Sequence, residues 1–84
     1  MGSVEEIAAF ITAATKGLVN KPEKVFVDIA NKPGGKLVCL VINCDLSDLG
    51  CVIGKHERNI KSLRELAFSM GAKNKLKIQI LLNE

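Results

Sequence analysis

The sequence predicts an α+β domain in which helices pack on one face of a small, three-stranded sheet. Three observations support this. Apolar residues recur at helical spacing near the start of the chain and again after residue 57. Between those stretches, and at the end, they alternate or run together as strands do. No repeat, low-complexity tract or linker divides the 84 residues. A chain of that length makes one domain, 1–84, whose core is thin: it buries about 60–65% of the surface exposed on unfolding.

The elements follow in order. Ser3-Val4-Glu5-Glu6 reads as a capping box, Ser3 accepting from the amide of Glu6 and Glu6 reaching back. Val4, Ile7, Ala8, Ile11, Ala14 and Leu18 then make one apolar stripe with Thr15 at its edge, and the helix ends between Gly17 and Asn20, ahead of Lys21-Pro22. Val25, Val27 and Ile29 alternate with Phe26 and Asp28, the pattern of a half-buried strand. Residues 31–35, Asn-Lys-Pro-Gly-Gly, turn the chain into a second strand, the unbroken apolar run 37–42. That run is either covered on both faces or uses its second face for binding. Asp45 or Ser47 caps a short helix over 46–53, which Gly54 ends. A longer helix starts around Arg58 and runs to about Met70. Ile60, Leu63, Ala67 and Met70 form its buried stripe, Leu66 lies at the margin, and Arg58, Lys61, Ser62 and Glu65 lie opposite. Gly71 suits the residue just past its end. Lys75, Lys77 and Gln79 alternate with Leu76, Ile78, Ile80 and Leu82, a last strand with a basic outer face.

The net charge of +3 is unevenly spread. From Gly50 to Lys77, seven cations (Lys55, Arg58, Lys61, Arg64, Lys73, Lys75, Lys77) face only Glu57 and Glu65, whereas residues 1–49 are nearly balanced. A basic second half suits a polyanionic partner. Lys73, Lys75 and Lys77 have an equally good structural role in guarding an edge strand against aggregation. Three Phe, with no Tyr or Trp, argue against rows of stacking rings as the recognition device. Cys39, Cys44 and Cys51 are odd in number, and nothing at the start resembles a signal peptide, so free thiols in a cytoplasmic protein are expected. Cys44, Cys51 and His56 lack a CxxC pair and a fourth ligand, which argues against zinc; no cofactor is expected. No apolar run approaches the ~20 residues that span a bilayer.

The most informative stretch is Val52-Ile53-Gly54-Lys55-His56-Glu57-Arg58-Asn59-Ile60-Lys61. An apolar pair leads into a glycine, a short polar turn and a helix carrying cations, an order that aims backbone N–H groups and positive side chains at one spot. With Ser62-Leu63-Arg64 it resembles the KH-domain motif V-I-G-K-x-G-R-x-x-K-x-L-R, and the element order αββααβ is that of the type II KH fold. Over nearly its whole length, including residues 18–25 and 45–55, the chain is similar to the small single-domain bacterial KH proteins of the KhpA/YlqC kind. Every named motif position matches except Glu57, where the family has glycine.

The resemblance implies binding of single-stranded RNA, about four nucleotides lying with their backbone against the GxxG loop. Ile53, Gly54, Lys55, His56, Glu57, Arg58 and Lys61 are the residues it implicates. Gly54 permits close approach, Lys55 and His56 are the variable turn residues, Arg58 and Lys61 extend the positive face, and Ile53 with the strand around Val38 to Leu40 floors the groove. The resemblance also implies a homodimer, or a heterodimer with a larger Jag-type KH protein. A carboxylate at residue 57 repels phosphate by about 1 kcal/mol, roughly fivefold in affinity, so weak RNA binding is expected. The same carboxylate suits the first turn of the following helix. The alternative is a protein-docking module with a degenerate loop. An enzyme is not expected: His56 has no visible partner, no nucleophile motif or acid–base pair occurs, and no small-molecule substrate is implied.

Overall fold

The structure, a computed structural model, describes residues 4–31 and 36–83. Helix α1 (Val4–Lys16) buries Ile7, Ala8, Ile11 and Thr15. Ser3 of the expected capping box lies outside the described residues. Thr15, expected at the stripe's edge, is instead wholly buried. Its hydroxyl donates to the Ile11 carbonyl at 2.7 Å, which satisfies the polar atom and frees the methyl to pack.

A 3-10 turn (Pro22–Lys24) leads into strand β1 (Phe26–Asn31), antiparallel to β2 (Leu37–Asn43) with Phe26 opposite Asn43. The expected turn is thereby bracketed, although 32–35 themselves lie outside the described residues. Strand β3 (Lys77–Leu82) runs parallel to β2, giving the order β1-β2-β3. A parallel pair needs a long crossover, and two helices, α2 (Leu49–Ile53) and α3 (Arg58–Ala72), supply it.

Alternation fixes which face the helices cover. Val38, Leu40, Ile42, Ile78 and Ile80 point inward and are buried, while Cys39, Val41, Gln79 and Leu81 lie on the other, open face. Of the two expectations for β2, coverage on both faces is therefore not met. Strand β1 is also barer than expected: Ile29, on the face expected to be covered, is exposed. The core centres on Ile7, Ile11, Leu40, Ile42, Val52 and Ile80. Burial of each stabilises the fold by roughly 1.5–3 kcal/mol.

Gly71 does not end α3. It lies buried inside the helix, where a Cβ would sit 2.5 Å from Ile78 Cγ1 and 2.8 Å from the Leu76 carbonyl oxygen. Its missing side chain lets α3 lie close to β3, and the left-handed residue beyond the helix is Lys75 (φ 58°). Across the far end of the sheet, the Asn43 carboxamide donates to Asp28 and to the Phe26 and Val41 carbonyls, and accepts from Asn83 at 2.6 Å. One side chain therefore ties together the ends of all three strands.

Candidate nucleic-acid interface

Asp45 starts the segment that carries the bend. Its extended backbone and its carboxylate, which accepts from the Ser47 amide at 3.0 Å and from the Ser47 hydroxyl, open a 3-10 turn (Leu46–Asp48) that passes into α2. Those bonds from Ser47 are the main reason its carboxyl is held below the usual range; Lys21, 3.6 Å away, adds to the effect. Asp48, an acid at the start of α2, is fully buried. Its carboxylate accepts from the Asn20 amide (3.2 Å), the Asn20 side chain (3.3 Å) and the Lys21 amide (3.0 Å), fastening the segment after α1 to the start of α2. Nearby, burial first and then Asp48, Asp45 and Cys51 push the Cys44 thiol above its ordinary value.

Gly54 follows α2 with φ 77° and ψ 169°, a region open essentially to glycine alone. Lys55–Glu57 then make one tight turn in which His56 (φ 57°, ψ 32°) and Glu57 (φ 61°, ψ 21°) are both left-handed. The Glu57 amide donates to the Gly54 carbonyl at 3.1 Å, and the Arg58 amide donates to that of Lys55. Beneath the turn, the Asn59 side chain donates to the Cys51 carbonyl at 2.8 Å. A Cβ on Gly54 would fall 2.7 Å from Asn59 Cγ. The bend is therefore clamped between the last carbonyls of α2 and the first turn of α3.

Lys55 and His56 are the first two residues of the turn, so no carbonyl within it accepts from their amides, and among the described residues Lys55, Arg58, Lys61 and Arg64 make no ion pair. All four cations are exposed. The Glu57 carboxylate forms no hydrogen bond with the amides of the bend, so it does not plug it. Two adjacent N–H groups in the turn that leads into a fifteen-residue helix, flanked by cations without ion pairs, can receive an anion.

Next to the bend lies an open hollow of about 440 Å³ lined by Ile53, Glu57, Ile60, Arg64, Leu81 and Leu82. It continues, through Arg64 and Leu81, into a second of about 570 Å³ that includes Phe68, Ser69 and Gln79. The floor expected at Val38 to Leu40 is not there: Val38 and Leu40 are buried in the core, and the Cys39 thiol contacts Gln79 on the open face. Strand β3 supplies that wall instead. Its signal in the sequence was Leu81, an apolar residue where the alternation of Lys77 and Gln79 calls for a polar one. Arg64 and Ile60 were also missed as lining residues.

The KhpA/KhpB KH-domain family matches residues 8–82. The chain belongs to that family. It is 31% identical to the RNA-binding protein KhpA of Chlamydia caviae over 89% of its own length and 94% of that protein's. It is 30% identical to the RNA-binding protein KhpA of Streptococcus pneumoniae serotype 4 over 96% of its length and 99% of the relative's. The RNA-binding protein KhpA of Leifsonia xyli is 29% identical over 89% and 96% of the two chains. No solved structure gives a significant match. The α+β architecture with its mixed sheet is that of a KH domain, as the motif implied. Among the described residues, no helix is long and apolar enough to cross a membrane.

Proposed function

We propose that this protein, a single KH domain, binds single-stranded RNA in the cytoplasm and catalyses no reaction on it. The observation that carries this is the bend between two helices, whose first two amides no carbonyl of the turn takes up, ringed by Lys55, Arg58 and Lys61. Membership of a family whose relatives are called RNA-binding proteins supports it. Backbone contacts carry most of the affinity, so overall sequence specificity is low. One domain makes few contacts, and useful affinity comes from pairing two units, either two copies or one copy with a larger Jag-type KH protein. The exposed Leu66 and Phe68 on α3 are the apolar residues that such pairing would cover.

A second reading, a docking module with little RNA affinity, is favoured by Glu57, whose charge stands beside the amides. Titration of labelled single-stranded RNA at two salt concentrations decides between them. Grip through the cations predicts affinity that falls with salt, at a logarithmic slope of about 0.7 per phosphate neutralised. It also predicts weaker binding by Lys55→Asp. No binding at low salt overturns the RNA reading in favour of docking.

A further inference from the structure

Glu57 faces two places at once. It stands beside the bend that meets the RNA backbone, and it lines the hollow of about 440 Å³. Four of the hollow's six lining residues (Ile53, Ile60, Leu81 and Leu82) are apolar walls against which a flat ring can lie. The other two, Glu57 and Arg64, carry opposite charges. Neither makes a side-chain hydrogen bond or ion pair among the described residues, so both present their full bonding capacity to the hollow. Glu57 is the residue just before α3, and Arg64 lies within that helix seven positions on.

The two groups specify their occupant chemically. A carboxylate accepts on two oxygens; a guanidinium donates through a planar fork. The ligand must therefore show paired donors on one edge and paired acceptors on another. Guanine does so, with N1–H and N2–H₂ adjacent on its Watson–Crick edge and O6 and N7 adjacent on its Hoogsteen edge. Cytosine and adenine offer the carboxylate only their single amino group, and uracil only one imide N–H. An unpaired strand leaves both edges of a base open. We infer that this hollow holds one unpaired guanine of the bound RNA, with Glu57 reading its Watson–Crick edge and Arg64 its O6/N7 edge. The inference rests on the RNA reading above and adds one selective position to an otherwise unselective grip. It also gives Glu57 a role that glycine cannot fill: the carboxylate weakens the hold on phosphate and chooses a base.

The test uses labelled RNA pentamers with A, C, G, U or inosine at the centre and adenosine elsewhere, bound to the full chain at low salt. The guanosine pentamer is expected to bind about tenfold tighter than those with A, C or U. Inosine, which lacks the N2 amine, falls between. Glu57→Gln presents one acceptor and one donor in the same shape and brings guanosine and adenosine to within about twofold of each other; Arg64→Gln does the same. Thermal melts check that each variant folds. Should a variant fail to fold, inosine with the parent protein still decides, since equal binding of inosine and guanosine overturns the Watson–Crick contact. Equal binding of all pentamers, or a guanosine preference that survives Glu57→Gln, overturns the inference and leaves the RNA reading standing. No binding of any pentamer at low salt overturns both.

Discussion

Glu57 holds a backbone conformation that suits glycine, and a side chain there costs about 1–2 kcal/mol. Glycine in its place would relieve that strain but give the unfolded chain more freedom, which offsets about 0.4–1 kcal/mol. Glu57→Gly is therefore expected to melt slightly higher than the parent and, with the carboxylate gone from beside the phosphate, to bind an all-adenosine RNA about fivefold tighter. An unchanged affinity in a folded variant sinks the repulsion argument. Asp45 makes a pH prediction. Its folded carboxyl titrates below the unfolded one because Ser47 bonds to the ionised form, so the stability it contributes is present at neutral pH. That contribution is lost as pH falls through the lowered value. Melting temperatures of Asp45→Ala and the parent should thus converge between about pH 5 and pH 2. A gap that stays constant through that window would show that ionisation of the cap is not what matters.

At the scale of elements, Gly71 reverses the usual rule. Alanine in place of a helical glycine ordinarily stabilises by roughly 0.5–1 kcal/mol. Here its methyl meets Ile78 and the Leu76 carbonyl below contact distance, so Gly71→Ala is expected to destabilise by about 1–3 kcal/mol in denaturant unfolding. Asn59→Ala removes the bond to Cys51 and the filler beneath Gly54; about 1–3 kcal/mol should be lost, with weaker RNA binding beyond what the melt accounts for. These two positions also show what the sequence could and could not reveal. Order and type of the elements were legible because period 3.6 and period 2 are written into neighbouring residues, and the bend was legible because its residues are contiguous. Gly71 reads as a stop because a glycine after an apolar stripe ordinarily is one, and only the approach of Ile78 from a later strand explains it. Thr15 reads as marginal because its bond to Ile11 belongs to the folded helix. The run 37–42 hides which face is inward, since both are apolar. The wall of the hollow depends on how β3 sets beside β2, a parallel pairing that no local pattern encodes. Asp48 looks like a helix-start acid until the fold brings residues 20 and 21 to it.

For the whole molecule, the proposed pairing predicts a mass near twice 9.1 kDa in light scattering at micromolar concentration. Phe68→Lys, a charge on the most exposed apolar residue of α3, should return the mass to that of one chain while the melt stays cooperative. An unshifted mass removes this face from the interface. The buried carboxylate of Asp48 reaches further than its immediate neighbours. The amides of Asn20 and Lys21 sit on an exposed stretch and would ordinarily trade their protons with solvent in moments. Both are turned toward an oxygen pair that water does not reach. Their deuterium uptake is therefore timed by how often the contact between residues 20–21 and Asp48 opens, and two amides of exposed residues become a clock for the seam that holds the start of α2.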